Sequence, residues 1–294
     1  MIHELKRRTL KILPKKTAHK LLFYKYMKKR LNLKHPKTLN EKIQWMIIFL
    51  YGEKEGNLSD KCLVKKYVET LEISNLNIPK TLLTFESLDE FKKAEKLPDK
   101  YVLKTNHGSG DVYIVDSETK EKIYTYINKL EHSLLESYEN NKLEYHYSYI
   151  KPTIMIEEYL KEESFERPLD YKFFCYDGYV DCVMVCSSRG KNIKKDFFNK
   201  KWEHLDYSKK ELWSKTEIKC PQNINEMFEI ASKISKGFPF VRVDLYNISG
   251  KIYFGEMTFT PAAGLSNSYT EEGDIHLGKY ININKIKEER KRVM

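Results

Sequence analysis

Val241-Arg242-Val243-Asp244-Leu245-Tyr246 runs through Asn247-Ile248-Ser249-Gly250 into a second arm, Lys251 to Met257, which carries Phe254-Gly255-Glu256-Met257-Thr258 at its far end. Both arms are rich in β-branched and aromatic residues, and a Ser-Gly pair lies between them, so the stretch reads as a β-hairpin. Side chains alternate along a strand, which puts Arg242 and Asp244 on one face of the first arm and Glu256 and Thr258 on one face of the second. If the turn pairs the arms, Asp244 and Glu256 become neighbours. Two carboxylates converging in a partly buried place repel each other unless a cation lies between them, and Mg²⁺ carrying a polyphosphate is the usual solution. A surface hairpin with both acids in water is the plainer reading of the same residues.

Outward from this hairpin the grammar repeats. Tyr171 to Tyr176 and Tyr179 to Cys186 flank Asp177-Gly178, a strong two-residue turn signal. Tyr101 to Lys104 leads into Thr105-Asn106-His107-Gly108-Ser109-Gly110-Asp111, and Val112 to Val115 returns. The glycines leave backbone N–H groups free to approach phosphate, and Lys104 supplies countercharge. The loop lacks both GxxxxGK[ST] and the third glycine of a dinucleotide fingerprint, so a tight turn explains it equally well. Thr153 to Leu160 reads as a strand ending in Glu157-Glu158-Tyr159-Leu160, which offers backbone hydrogen bonds and an apolar wall to a purine, or simply a core strand meeting solvent.

Helical signals fill the rest. Thr38-Leu39-Asn40-Glu41 starts a helix over 41–51, Ser59-Asp60-Lys61 starts another through Leu71, and 87–96, 118–145 and 223–237 read as helical, with a short strand at Thr81 to Phe85. Glu271, Glu272, Asp274 and His276 fall in what reads as a late loop. The sum is an α+β chain built on antiparallel hairpins, with no regular βαβ series.

Charge is uneven along the 294 residues, whose net charge is +10. Residues 1–37 hold thirteen Lys/Arg and one acid, or +12, leaving −2 for the remainder. Leu10, Ile12, Leu13, Leu21, Leu22, Phe23, Tyr24 and Met27 are interleaved with these cations. The arm therefore reads either as a basic helix packing its Leu/Phe face on the body, or as a contact for an anionic membrane surface, acidic polymer or partner. No nucleic-acid motif accompanies it. No window is apolar enough to span a bilayer, and no secretory pattern is present. The five cysteines, an odd count without CxxC spacing, read as reduced thiols, which points to a cytoplasmic setting, peripheral at the inner membrane face if the arm docks there.

Taken in order, six blocks resemble the ATP-grasp superfamily, in the TupA-like branch associated with teichuronopeptide biosynthesis. They are Ser59-Asp60-Lys61 with Val64 to Val68, Val102 to Gly110, Glu157 to Leu160, Asp170 to Phe173, Val241 to Tyr246 and Phe254 to Thr260. The resemblance covers roughly residues 38–280. It implies an ATP-grasp fold whose antiparallel-sheet lobes clasp a nucleotide behind a helical basic arm. The implied divisions are 1–37 (arm), 38–100 (N-terminal lobe), 101–160 (central subdomain with the glycine loop) and 161–294 (C-terminal subdomain with the metal site). The implied activity is an ATP- and Mg²⁺-dependent carboxylate–amine ligase working through an acyl phosphate, with a uronic acid of a surface polysaccharide as the carboxylate and an amine as co-substrate. A phosphotransferase acting on a sugar hydroxyl and a non-catalytic glycan-binding adaptor are the alternatives.

Residue by residue, the resemblance places Lys61 and Lys104 on the phosphates and His107, Gly108, Ser109 and Gly110 in the loop that closes over them. Glu157, Glu158, Tyr159 and Leu160 take the adenine. Asp170 and Lys172 resemble a D-x-R pattern, with Lys172 toward the γ-phosphate, and Arg189 is a candidate contact for the substrate carboxylate or the acyl phosphate. Asp244, Glu256 and Thr258 are the implied metal ligands, Thr258 standing where many relatives have Asn, and Arg242 faces the developing oxyanion.

Overall fold

The computed structural model describes residues 12–93, 96–108, 110–135, 142–160, 169–187 and 193–293. The helices are α1 (Lys15–Met27), α2 (Leu39–Phe49), α3 (Glu53–Ser59), α4 (Leu63–Glu69), α5 (Leu88–Phe91), α6 (Ile123–Leu134), α7 (Ile224–Ser235), α8 (Glu271–Lys279) and α9 (Ile283–Val293). The strands are β1 (Leu76–Asn77), β2 (Thr81–Phe85), β3 (Tyr101–Thr105), β4 (Val112–Val115), β5 (Ile154–Glu158), β6 (Asp170–Tyr176), β7 (Tyr179–Cys186), β8 (Lys195–Phe198), β9 (His204–Leu205), β10 (Val241–Ile248) and β11 (Lys251–Thr258).

They form two sheets, one ordered β1-β11-β10-β6-β7-β8-β9 and the other β2-β5-β3-β4. Among the described residues, every strand pairing is antiparallel except β1 with β11. The hairpin turns follow from their residues. Asp177-Gly178 and Ser249-Gly250 both have positive φ at each position, which matches the right-handed twist of the strands they join. Because Ser249-Gly250 makes the whole turn, Asn247 and Ile248 belong to β10 rather than to the connection.

The large sheet is covered on both faces. On one, Phe173, Val183, Val243, Leu245 and Phe254 pack against Met227, Phe228 and Ile234 of α7 and Val64 and Val68 of α4. On the other, Phe174, Tyr176, Cys182 and Met184 meet Leu39, Ile43 and Met46 of α2 and Leu277 of α8. Helix α2 begins as its sequence demands. Thr38 accepts from the Glu41 amide at 3.2 Å, and the Glu41 carboxylate accepts from the Thr38 amide at 3.3 Å, a reciprocal cap. The small sheet buries Leu103, Ile154 and Ile156 under Ile127 and Leu130 of α6.

Several elements differ from the sequence reading. The 87–96 helix contracts to Leu88–Phe91, with 94–95 outside the described residues. The 118–145 stretch is helical as α6 over Ile123–Leu134, after a short 3₁₀ turn at Lys120–Lys122. The late loop is instead α8, and Asp274 within it is buried, accepting from Asn40 N and Nδ2 at 3.0 and 2.8 Å. Helix α1 lays Ala18, Leu22 and Phe23 against Leu31, Leu143, Ala263 and Leu265, so this part of the basic arm packs on the body. Among the described residues, no helix is long and apolar enough to cross a membrane.

Candidate active site

The cleft lies between the sheets because strand alternation leaves each sheet one polar stripe. In β10, Val241, Val243 and Leu245 point into the core, so Arg242, Asp244 and Tyr246 turn the other way. In β6, burial of Tyr171 and Phe173 in that core sends Asp170 and Lys172 to the same side. Register then aligns Lys172 with Asp244 and Asp244 with Glu256, a row across three strands.

Glu256 reaches that row through a bulge. Strict alternation would give it the face of Phe254 and Ile252, both core residues. Asp244 pairs with Glu256 but Leu245 pairs with Phe254, so Gly255 is the extra residue that resets the alternation. A Cβ on Gly255 would stand 2.8 Å from the Asp244 carbonyl oxygen, which restricts this position to glycine.

The row is wired through its charges. Arg242 donates from Nε to Asp244 Oδ1 and from NH2 to Oδ2, each at 2.7 Å, and Lys172 donates to Oδ2 at 2.5 Å. Arg242 also reaches Glu256 Oε1 at 3.2 Å and Thr258 Oγ1 at 3.0 Å, and Thr258 donates to the same Glu256 oxygen at 3.0 Å. Lys61 stands 3.8 Å from Glu256 Oε2 and donates to the Gly108 carbonyl at 2.7 Å. Burial alone would raise the Glu256 carboxyl, but Lys61, Lys172 and Arg242 outweigh it and bring it down to about 2. Burial pushes the Asp244 carboxyl up, with Arg242 and Lys172 pulling against it.

Across the cleft, Lys104 and Val102 alternate with buried Leu103 on β3. Lys104 pairs with Glu157 Oε1, and Lys65 donates to Glu157 Oε2 at 2.5 Å, to the Pro79 carbonyl at 2.7 Å and to Thr81 at 3.0 Å. Burial raises the Glu157 carboxyl, and the two lysines overcome it, so its affinity for protons falls below that of an ordinary glutamate. The glycine loop is tied to the α3–α4 turn. Asn106 Nδ2 donates to Asp60 at 2.6 Å, the Lys61 amide donates to the Asn106 carbonyl at 3.0 Å, and Asp60 caps the amides of Cys62 and Leu63 at 2.7 and 3.1 Å.

Between the sheets is a cavity of about 250 Å³, with Val102, Val112, Ile114, Tyr159, Leu160, Tyr246 and Phe254 as apolar walls and Lys61, Lys104, Lys172, Asp170, Asp244 and Glu256 at its polar end. A purine-sized apolar slot that opens onto converging lysines has the chemistry to take a nucleoside polyphosphate. A second cavity of about 580 Å³ adjoins it, sharing Lys61, Gly108, Gly110, Lys172 and Glu256 and adding His107, Arg242, Thr258, Glu144, Thr260 and Ala263.

The structure thus brings together Lys61, Lys104, Gly108, Gly110, Glu157 to Leu160, Asp170, Lys172, Asp244 and Glu256 around the first cavity, and His107, Arg242 and Thr258 around the second. Ser109 and Arg189 lie outside the described residues. Glu271, Glu272, Asp274 and His276 line neither cavity. Sequence reasoning missed Lys65, which sits inside a quoted block but owes its place to the distant Glu157, and Glu144, which stands in no recognisable motif. Among the described residues, no cluster of three or more His, Cys, Asp or Glu forms a metal site, so an ion here would rest on Asp244 and Glu256 with other oxygens completing its shell.

A TupA-like ATPgrasp family model matches residues 41–282. Among solved structures, an L-amino acid ligase from Bacillus licheniformis aligns at TM-score 0.48 and 12% identity, over 85% of this chain and 56% of its own. A D-alanine–D-alanine ligase from Bacillus anthracis aligns at TM-score 0.47 and 18% identity, over 82% and 70% of the two chains. The corresponding Helicobacter pylori ligase aligns at TM-score 0.42 and 16% identity, over 75% and 59%. The chain therefore spans little more than half the length of the first of these. No curated protein sequence matches it.

Proposed function

The chain belongs to the TupA-like ATP-grasp family, and from that premise we propose that it is an ADP-forming carboxylate–amine ligase whose carboxylate is a uronic acid of a bacterial surface polysaccharide or its precursor. The observation that carries the ligase reading is the cross-strand row Lys172–Asp244–Glu256, facing Lys104 over an apolar slot. In this reading Val102, Ile114, Tyr159, Leu160 and Tyr246 enclose the adenine, while Lys61, Lys104 and Lys172 meet the phosphates.

The residues present fit Mg²⁺. Asp244 and Glu256 are paired oxygen donors beside a hydroxyl, Thr258, and Mg²⁺ is usually held by one or two carboxylates with phosphate and water completing its shell. The ion would supply charge neutralisation on the transferring phosphoryl group. The chain's own residues do the rest. Lys61 and Lys104 hold the phosphates, Lys172 faces the γ position, and Arg242 faces the oxyanion that develops when an amine attacks the acyl phosphate. Catalysis of this kind is positioning and electrostatics rather than a covalent protein intermediate.

The uronate assignment rests on charge and on the family's association with acidic wall polymers. Lys16, Lys20 and Lys34 line a hollow of about 350 Å³ on the arm side, together with Leu31, Leu33 and Phe49. That surface suits an anionic polysaccharide or the anionic membrane face on which it is assembled.

Thermal shift with ATP, ADP and GTP, with and without Mg²⁺, tests the nucleotide site in the wild type and in Asp244→Asn/Glu256→Gln. A Mg²⁺-dependent adenine-nucleotide stabilisation that disappears in the double variant is expected, because a ligand that binds only the native state raises the midpoint. No shift in the wild type sinks the ligase reading. ADP release that requires both a uronate and an amine, with free phosphate as co-product, separates a ligase from a kinase, which leaves phosphate on its acceptor.

A further inference from the structure

An amine entering a ligase near neutral pH is an ammonium ion and must lose a proton before it can attack. Glu256 is engaged by Arg242, Thr258 and Lys61 and is assigned to the metal, and Glu157 is occupied by two lysines on the nucleotide side. The second cavity holds a different acid. Glu144 lines it, together with Lys142, Tyr147, Thr260, Ala262 and Ala263, and does not line the nucleotide slot. Its side chain is held in place, accepting from the Thr260 hydroxyl at 2.5 Å in a residue only 4% exposed. Thr260 follows by two residues Thr258, whose hydroxyl binds both Arg242 and Glu256. The carboxylate therefore lines the same cavity as Arg242 and Thr258.

The wall around it is built under strain. Leu143 has φ of +60°, with its side chain buried among Ala18, Leu22 and Phe23, and Ala262 and Ala263 have φ of +51° and +56°. Left-handed backbone at a non-glycine residue is unfavourable and persists where packing over-determines it, a condition concentrated at functional sites.

We propose that Glu144 is the general base of the ligase, accepting the proton of the incoming ammonium in the second cavity. This rests on the ligase reading above. The ammonium N–H bond breaks and its proton moves to the Glu144 carboxylate. The freed nitrogen lone pair forms the C–N bond at the acyl carbon. The C–O bond to phosphate then breaks with its electrons on the leaving phosphate, which carries off the second nitrogen proton, and Glu144 returns its own to solvent. Burial raises the Glu144 carboxyl to about 7 against the pull of Thr260 and Lys142, so it can both take and release a proton near neutrality.

Hydroxylamine provides the test, since it is unprotonated near pH 7 and traps an acyl phosphate as a hydroxamate without a base. Wild type and Glu144→Gln are assayed with ATP, Mg²⁺, glucuronate, galacturonate and their oligomers, and either hydroxylamine or a panel of amino acids. Glu144→Gln is expected to keep hydroxamate formation within about threefold while amide formation falls about 100-fold or more. The proposal is overturned if both products fall together, if both are retained, or if His107→Asn shows the selective amide loss instead. Should Glu144→Gln melt below assay temperature, Thr260→Val carries the test. It keeps the carboxylate and removes its hydrogen bond, and an unchanged ratio of amide to hydroxamate overturns the proposal. A wild type that yields neither ADP nor hydroxamate on any uronate overturns the ligase reading itself, a result distinct from failure of Glu144.

Discussion

At the scale of single residues, two buried histidines make stability depend on pH on the acid side. His146 is 1% exposed and neither ring nitrogen has a hydrogen-bond partner among the described residues, while His19 shares its Nδ1 with Gln44 at 2.6 Å. Burial lowers both to about 4, from 6.5. Between those values the unfolded chain takes protons that the fold refuses, so stability rises with pH across the window, by up to about 3 kcal/mol per histidine. Glu144 works the other way. Its carboxyl is raised from 4.5 to about 7, so the unfolded chain releases that proton first and stability from this group falls as pH climbs through that range. His146→Phe, which keeps a ring in place, is expected to cut the gain in urea-unfolding free energy between about pH 4.5 and 6.5 by about 2 kcal/mol. An unchanged slope would mean that His146 is not held neutral.

At the scale of elements, the Gly255 bulge decides whether the metal-side carboxylates face each other. Gly255→Ala must move the Asp244 carbonyl, and an overpacking cost of about 1–3 kcal/mol is expected in chemical denaturation. The Mg²⁺-dependent nucleotide shift should fall with it, because Glu256 is displaced. A stable variant with an intact shift would show that the bulge does not place Glu256. The hairpins themselves were legible in sequence, because Asp177-Gly178 and Ser249-Gly250 admit few other turns. The bulge was not, since a lone glycine inside a strand signals many things. Helix α8 is hard to read in sequence, because Gly273 and Gly278 are poor helix formers in its interior. Both glycines are there for close packing, since a Cβ would stand 2.6 Å from the Tyr207 backbone or 2.5 Å from the Lys37 carbonyl. Lys65 sat inside a recognised block, but its role depends on Glu157, ninety-two residues away, and no local pattern encodes that distance. Glu144 was hidden for the same reason, its partner Thr260 being 116 residues on.

At the scale of the whole molecule, two sheets meet over a cleft in which the lysines and Arg242 already have carboxylate partners. Lys104 and Lys65 hold Glu157, Lys172 and Arg242 hold Asp244, and Lys61 leans on Glu256. Raising NaCl from about 50 to 500 mM is therefore expected to weaken MgATP binding only about threefold or less, measured by calorimetry, because close and partly buried pairs are poorly screened. A steep loss would mark the cleft as an open basic patch. In the proposed reading the resting carboxylates stand in for phosphates, so that entry of nucleotide exchanges one anion for another. A lone sulfate or inorganic phosphate brings no cation for Asp244 and Glu256, whereas in the proposed reading a magnesium-bound triphosphate offers phosphate to the lysines and a cation to those carboxylates at once. The cleft is therefore expected to reject simple anions without a steric filter, and a sulfate titration that leaves the melting midpoint unchanged at millimolar concentration checks it.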